Sequence, residues 1–345
     1  MKNRIEYIDA LRGFAILLVV LGHLLQRNGY NNSGLYNTIY SFHMPLFFCI
    51  SGFVTEYSCK LTNSSKIKDY LNYIKRKFNV IMIPYLFWSL VVDPLFFTSS
   101  FSIENYKLII TETLIDNVSY WFLPCLFFLL LLYVIWKYIS TKINSKNVFL
   151  DLSVFVFCSS LYLVMFFLSN YDFFRSALSY VAYFAIGVIA SKYNVVYNIL
   201  KDNSTVFAFS VILFSLIVGY FSNSNSTLSN KIIRLSTGIL SLPIWFHIFS
   251  DSLINQTLKR HLSFIGKYTL IIYVLHNNFT FLFSSTIDIG IIIHIFVFGI
   301  ISVFICIICI FIGKIIEKNT ILSFVMLGKL TKVEATDCTE LHKRI

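Results

Sequence analysis

The sequence predicts an all-α polytopic membrane protein with about ten transmembrane helices and both termini in the cytoplasm. Of its 345 residues, 57% are hydrophobic and only 13% are charged, and the mean hydropathy is +0.73. Soluble domains carry about 25% charged residues, so this chain has too few charges to cover the surface of a soluble enzyme. Its 36 Phe and 21 Tyr residues exclude a disordered chain, which is poor in aromatic residues.

Ten apolar runs, separated by polar breaks, provide the predicted helices, since a helix needs about 20 apolar residues to cross a bilayer. The runs are 8–26, 38–58, 78–98, 120–139, 148–168, 173–192, 204–222, 231–250, 264–284 and 290–315. They are continuous and do not alternate, which disfavours a β-barrel. We expect one membrane domain over residues 1–330 and a polar cytoplasmic tail over residues 331–345.

The positions of the basic residues predict the orientation. With the N-terminus in the cytoplasm, the inner loops and ends contain 23 of the 28 Lys and Arg residues. Cytoplasmic loops of membrane proteins carry this excess of positive charge. The bias predicts a multi-pass protein of the inner (cytoplasmic) membrane, surrounded by membrane lipids. It also explains the net charge of +11 without a nucleic-acid partner.

The cysteines show no pattern of a metal site. Cys306 and Cys309 lie in an unbroken apolar run with no second pair of ligands. Cysteine in such a run usually packs as a small apolar residue. We therefore predict no metal cofactor.

The first predicted helix carries the strongest signal for chemistry. At 100° per residue, Arg12 and His23 lie on one face, about 16 Å apart along the axis. Asp9, three residues before Arg12, is placed to pair with it. Such side chains are costly against lipid and should face the protein interior or a wet cavity. The alternative is that Asp9 and Arg12 anchor the helix at the interface and that His23 only packs.

Together with later motifs, these residues resemble membrane acyltransferase family 3. The first-helix signature of that family is similar to Tyr7-Ile8-Asp9, Arg12-Gly13 and His23. Further motifs follow in the family's order: Phe42–Phe48 with Ser51–Phe53, Lys75–Lys77 with Pro84-Tyr85 and Trp88, Trp121–Leu123, Tyr183–Gly187, and Ile265–Thr269 with Tyr273 and His276. The resemblance extends from Arg4 to about Lys314, and several motifs in order are more specific than any one alone.

The resemblance implies an integral-membrane O-acyltransferase. It would move an acyl group, usually acetyl, from cytoplasmic acetyl-coenzyme A to a hydroxyl of a surface polysaccharide or its lipid-linked precursor. His23 would be the general base, a role that suits imidazole, although a covalent acyl-histidine route stays open. Arg12, beside Asp9, would orient the donor or stabilise the thioester oxyanion.

Two groups of residues are the expected binding sites. The phosphates of coenzyme A favour basic partners, which gives Arg12, Lys75, Arg76 and Lys77 as the donor site. Asn79 stands where the family often has a further basic residue. The expected acceptor contacts are His43, Ser51, Trp121, Tyr273 and His276. Plainer roles remain open at some of these positions: an interfacial one for His43 and Trp121, and close helix packing for Ser51-Gly52.

A transporter or flippase for a glycolipid or acyl group is the alternative function. It predicts inverted repeats with broken helices at matching positions, and the sequence shows no such repeat. An enzyme should bind and consume acetyl-coenzyme A, whereas a flippase should not.

Many relatives carry a soluble domain that completes the transfer. None follows the last predicted helix here, so we expect transfer to finish in the membrane domain. The sequence favours no particular oligomeric state.

Overall fold

A computed structural model describes residues 5–59, 66–92, 120–142, 148–151, 172–221, 227–250, 253–283 and 291–329, with a few single residues between them. Regular secondary structure in these ranges is helical throughout. The helices are α1 Glu6–Arg27, α2 Gly34–Tyr57, α3 Ile67–Phe87, α4 Phe122–Lys142, α5 Asp172–Lys192, α6 Asn194–Asp202, α7 Ser204–Phe221, α8 Thr227–Ser250, α9 Gln256–Gly266, α10 Thr269–Thr280, α11 Ile291–Ile316 and α12 Thr320–Leu327.

The chain divides into two units. The first contains α1, α2, α6 to α10 and most of α5 and α11. The second contains α3, α4 and α12.

At one end of the first unit, α1 ends and α2 begins; we call this the Arg27 end. Gly29, with φ +81°, turns the chain after α1 in a conformation that favours glycine. The Ser33 side chain accepts a hydrogen bond from the Tyr36 amide and so caps α2. Asn28 donates to the carbonyl oxygen of Phe283 at 3.2 Å, which brings the segment after α10 to the same end.

The opposite end of the first unit, the Glu6 end, is held by close contact between α1 and α9. A β-carbon on Gly13 would lie 1.9 Å from the carbonyl oxygen of Leu262, and one on Gly266 would lie 1.9 Å from that of Asp9. Only glycine fits at these two positions, because the two backbones touch there. Gln256 also donates to the Glu6 carboxylate at 3.1 Å.

A second close crossing joins α2 to α5. A β-carbon on Gly52 would lie 2.0 Å from the carbonyl oxygen of Phe184, and one on Gly187 would lie 1.9 Å from that of Cys49. This is the close helix packing that the sequence left open for Ser51-Gly52. The tight crossing fixes α2 and its His43 side chain within the first unit.

The second unit is built on α3, which continues through a π-helical turn, Trp88–Val92. The Trp88 indole donates to the carbonyl oxygen of Met326 at 3.0 Å. Gly328, with φ +62°, ends α12 beside the backbone of Val80. Tyr70 on α3 and Thr141 on α4 share a hydrogen bond of 3.0 Å.

Five helices in the described residues are long and apolar enough to span a membrane: Glu6–Arg27, Gly34–Tyr57, Phe122–Lys142, Ile232–Ser250 and Ile293–Ile316. A sixth results if α6 and α7, bent by 62° at their junction, form one broken span. The all-α membrane architecture is therefore confirmed, whereas the count of ten and the cytoplasmic termini stay predictions. The same holds for the single domain at 1–330.

Several helix boundaries differ from the sequence-based ones. α3 begins at Ile67 and not at residue 78, because its first turns carry charged residues that lower the hydropathy. The run 264–284 is two helices, α9 and α10, which separate at Lys267 and Tyr268. α9 was missed because it is amphipathic and basic. Most of the helix predicted at 148–168, and the tail at 331–345, lie outside the described residues.

Candidate active site

Three histidines from three helices meet near the Arg27 end of the first unit. His23 on α1 and His276 on α10 have ring centroids 5.1 Å apart. His43 on α2 lies in the same region, because its ring centroid is 4.8 Å from that of Tyr40, and the Tyr40 ring lies against Gly22, the residue before His23. His43 and His276 are buried, at 4% and 3% exposure, whereas His23 is half-buried. His23 is thus the accessible member of the cluster.

Hydrogen bonds fix the tautomers of the two buried imidazoles. Nδ1 of His276 lies 3.0 Å from the carbonyl oxygen of Ile272 and 2.8 Å from that of Tyr273. Nδ1 of His43 lies 2.7 Å from the carbonyl oxygen of Ile39. A carbonyl oxygen can only accept, so each Nδ1 carries the proton and each neutral ring keeps its lone pair on Nε2. Both rings therefore offer a hydrogen-bond acceptor at Nε2.

A polar rim, which the sequence does not predict, surrounds His23. Arg27, one turn after His23, donates to the side-chain oxygen of Asn277 at 2.8 Å and lies over the ring of Phe281. Asn277 follows His276 directly. The i, i+4 spacing of His23 and Arg27 was the available signal, but Arg27 was counted only as a charge of an outer loop.

Tyr40 closes another side of the cluster. Its ring covers Gly22, where a β-carbon would lie 2.8 Å from the ring, and stands 4.8 Å from the His43 ring. Its hydroxyl donates to Gln26 at 3.3 Å. It also stacks on Tyr36 at 4.0 Å. Aromatic and polar side chains of α1 and α2 thus lie between the Arg27 end and the imidazoles.

Arg12 and Asp9 lie toward the Glu6 end of the same helix. Nη1 of Arg12 is 4.0 Å from Oδ1 of Asp9, and the two side chains are 26% and 5% exposed. The predicted pairing is confirmed. The neighbouring α9 brings the buried Lys259 and the exposed Arg260 to α1. Hydropathy predicts a loop over most of α9, so the sequence assigns Lys259 and Arg260 to a cytoplasmic loop.

Two predicted acceptor contacts lie at different places in the first unit. Tyr273 is one turn before His276, with ring centroids 6.0 Å apart, so it adjoins the histidine cluster. Ser51 lies eight positions after His43, about 12 Å farther along α2. It sits beside the glycine crossing with α5, and a substrate role there stays a prediction.

The remaining predicted site residues belong to the second unit. Lys75, Arg76 and Lys77 lie on α3, where Arg76 and Lys77 stand 5.6 and 5.3 Å from the ring centroid of Tyr73. Trp121 is half-buried at the start of α4. It follows Tyr120, whose φ of +53° is unusual for a residue other than glycine.

The histidines outside the motifs have structural contacts. Nδ1 of His247 donates to the carbonyl oxygen of Lys201 at 2.7 Å, and the ring stacks on Phe207. Nδ1 of His294 lies 2.8 Å from the hydroxyl of Tyr30. His261 is exposed. Because these histidines match no motif, the sequence favours structural or solvated roles for them, and the observed contacts agree. The same expectation holds for His342, which lies outside the described residues.

Comparison with known families decides the class of the protein. The model of acyltransferase family 3, which is described as an acyltransferase domain, matches residues 5–312. The match covers the three histidines, Arg12 and helices α3 and α4 of the second unit, and it ends before α12. The chain belongs to this acyltransferase family.

Two relatives of this acyltransferase are nodulation proteins named NolL. The one from Sinorhizobium fredii is 32% identical over 133 residues, which are 35% of this chain and 34% of the relative. The one from Mesorhizobium japonicum is 29% identical over 133 residues, 35% of this chain and 33% of the relative. The matched segment thus spans about a third of each relative. No solved structure matches the chain.

The groups at this site are of the kinds that acyl transfer needs. A hydroxyl nucleophile requires a base within hydrogen-bonding reach, and imidazoles with free lone pairs supply one. The charge that develops on the carbonyl oxygen of an acyl donor requires a nearby hydrogen-bond donor. Among the described residues, no three His, Cys, Asp or Glu side chains are placed to share a metal ion.

Proposed function

We propose that this membrane acyltransferase transfers an acetyl group from cytoplasmic acetyl-coenzyme A to a hydroxyl of a surface polysaccharide or its lipid-linked precursor. The observation that carries the proposal is the cluster of His23, His43 and His276. The ring centroids of His23 and His276 are 5.1 Å apart. It lies in a chain whose family is an acyltransferase family. We place the protein in the inner (cytoplasmic) membrane with both termini in the cytoplasm.

In the proposed reaction, His23 is the general base. The acceptor oxygen attacks the thioester carbonyl carbon while its proton passes to an imidazole nitrogen of His23. The carbon–sulfur bond then breaks, and the proton moves to the leaving sulfur to give free coenzyme A. His23 suits this role because it is the accessible imidazole of the cluster and has two buried imidazoles beside it.

The donor is proposed to enter from the Glu6 end of α1. Arg12 is half-buried there and stands about 16 Å below His23 on the same helix. A guanidinium at this depth can bind a phosphate oxygen or the thioester oxygen. Lys75, Arg76 and Lys77 are proposed to contribute to binding of the coenzyme A phosphates, and Ser51 and Trp121 to contact the acceptor.

The decisive experiment compares His23→Ala with His261→Ala in purified protein. His261 is exposed and lies outside the cluster, so it is a matched control for loss of an imidazole. We expect His23→Ala to lower acetyl transfer by about 100-fold or more, the usual contribution of a general base. His261→Ala should keep the wild-type rate. Release of coenzyme A and acetylation of the polysaccharide are both measured.

Three outcomes decide the proposal. Full activity in folded His23→Ala contradicts the role of His23. Wild-type protein that neither binds nor consumes acetyl-coenzyme A contradicts the donor. Movement of a glycolipid without acetylation by the wild-type protein would favour the alternative function as a transporter or flippase.

A further inference from the structure

Nε2 of His276 is a buried hydrogen-bond acceptor without a partner. The atom is inaccessible, and no described residue hydrogen-bonds to it. Since Nδ1 donates to two carbonyl oxygens of α10 itself, the opposite edge of the ring, with Nε2, points away from that helix. Burying an unpaired acceptor costs free energy. Such an atom next to a reaction site indicates a group that arrives with the substrate.

The surroundings restrict what this group is. A lone pair needs a donor, so the arriving group carries an O–H or N–H. Arg27 bonds to Asn277, the residue directly after His276, and its positive charge disfavours an ammonium group close by. A neutral hydroxyl fits both conditions. Because the His23 ring is only 5.1 Å away, this hydroxyl lies next to the reacting one.

We propose that Nε2 of His276 accepts a hydrogen bond from a second acceptor hydroxyl, which neighbours the one that His23 deprotonates. The acceptor is then a sugar with hydroxyls on adjacent carbons, and His276 selects the one that is acylated. The proposal rests on the proposed function, since it assumes His23 as the base. It adds the substrate class and the residue that sets the position of acylation.

The two amide substitutions of His276 separate the roles of its two nitrogens. His276→Asn keeps a donor near the position of Nδ1, so it preserves the hydrogen bond to α10 and removes the group at Nε2. His276→Gln reaches the position of Nε2 and can offer a carbonyl oxygen there. Packing alone also favours Gln, whose volume is closer to that of His, so the order of the two effects on stability does not distinguish the roles. A hydrogen bond to the acceptor is distinguished by the KM for polysaccharide and by the position of acylation, which a loss of packing does not change selectively.

The acceptor for the test is the cell's own surface polysaccharide, freed of O-acetyl groups with mild alkali. Initial rates are measured with purified protein while acetyl-coenzyme A and the polysaccharide are varied separately. We expect His276→Asn to raise the KM for polysaccharide about tenfold, the value of one hydrogen bond, with the KM for acetyl-coenzyme A unchanged. NMR of the product should show acetyl groups spread over neighbouring positions. His276→Gln should restore most of the affinity and the position.

A substrate-side experiment needs no variant. Periodate cleaves bonds between carbons that carry adjacent hydroxyls, and borohydride then reduces the products to primary alcohols. The treated polysaccharide keeps abundant hydroxyls but loses its adjacent pairs. Wild-type protein should acetylate it at least tenfold more slowly, since a site built around a hydroxyl rejects a substrate that lacks it.

The outcomes distinguish this proposal from the proposed function. Equal rates on treated and untreated polysaccharide, or an unchanged KM and product position in His276→Asn, overturn the role of His276 while acetyl transfer itself stands. A rise in the KM for acetyl-coenzyme A alone would assign His276 to the donor and also overturn it. Wild-type protein without any transfer from acetyl-coenzyme A overturns both proposals together.

Discussion

Arg76 and Arg12 are the residues whose substitution tests the proposed binding of acetyl-coenzyme A. Arg76 lies half-buried on α3 over the ring of Tyr73, and Arg12 is half-buried on α1. A charge-assisted bond to phosphate contributes about 1.5–3 kcal/mol, so Arg76→Ala should raise the dissociation constant of acetyl-coenzyme A about tenfold or more. Arg12→Ala should raise it further, because Arg12 is proposed to contact the thioester oxygen as well as a phosphate.

The control for Arg76→Ala is Lys68→Ala, which removes an exposed positive charge from the same helix. If the basic residues of α3 only enforce topology, both variants should bind like the wild type. Binding is measured on purified protein at two salt concentrations. Equal affinity of Arg76→Ala and wild type at low salt would remove Arg76 from the donor site and leave Arg12 in it.

The residues of the candidate site were partly predictable from spacing. Periodicity within one helix placed Asp9 and Arg12 on one face, and their pairing is confirmed. The contact of His23 with His276, and that of Arg27 with Asn277 across 250 positions of the chain, could not come from spacing. Such contacts depend on how helices pack, for which a single sequence contains no local signal.

At the scale of the helices, the contact of α1 with α9 positions the first-helix motif. Gly13→Ala would place a methyl group 1.9 Å from the carbonyl oxygen of Leu262, so the two helices must separate. Overpacking of this kind costs about 1–3 kcal/mol. We expect a lower thermal unfolding midpoint in detergent and weaker acetyl transfer, because Arg12 and Asp9 move with the helix.

Gly299→Ala is the matched control for this substitution. Gly299 also lies within a helix, α11, but a β-carbon there would have no neighbouring atom within 4 Å. Alanine should therefore stabilise that helix by about 0.5–1 kcal/mol and raise the unfolding midpoint slightly. If both variants shift the midpoint in the same direction, the close contact of α1 with α9 does not determine stability.

Helices were predictable where they are apolar over their whole length. α1, α2, α4, α5, α7, α8 and α11 lie within a few residues of their predicted bounds. The start of α3 and the whole of α9 were missed because both are amphipathic and carry basic residues. Hydropathy measures transfer into lipid, and it does not detect a helix that is stabilised by packing on another helix.

At the scale of the whole molecule, the orientation in the membrane decides from which side the donor enters. Asn32 is exposed in the turn between α1 and α2, and Thr257 is exposed near the start of α9. In intact cells, Asn32→Cys should react with a membrane-impermeant thiol reagent and Thr257→Cys should not. Thr257→Cys should react after the membrane has been permeabilised with detergent.

The protein without an added cysteine gives the background for this labelling. Its cysteines within the described residues are buried, so this background should be low. The opposite pattern, with position 257 labelled and position 32 protected in intact cells, would reverse the topology. Acetyl-coenzyme A from the cytoplasm would then have to enter at the Arg27 end, which contradicts the proposed path along α1.

The sequence by itself determined that this is a membrane protein and which family it belongs to. Long apolar runs, few charges and ordered motifs follow from composition and position along the chain, and the family assignment is confirmed over residues 5–312. Only the tertiary structure decided that α9 packs on α1 and that His23, His43 and His276 form one cluster. The physical reason is the distance along the chain over which each interaction acts. Periodicity orients side chains within one helix, whereas the pairing of helices depends on glycines and buried surfaces far apart in the chain.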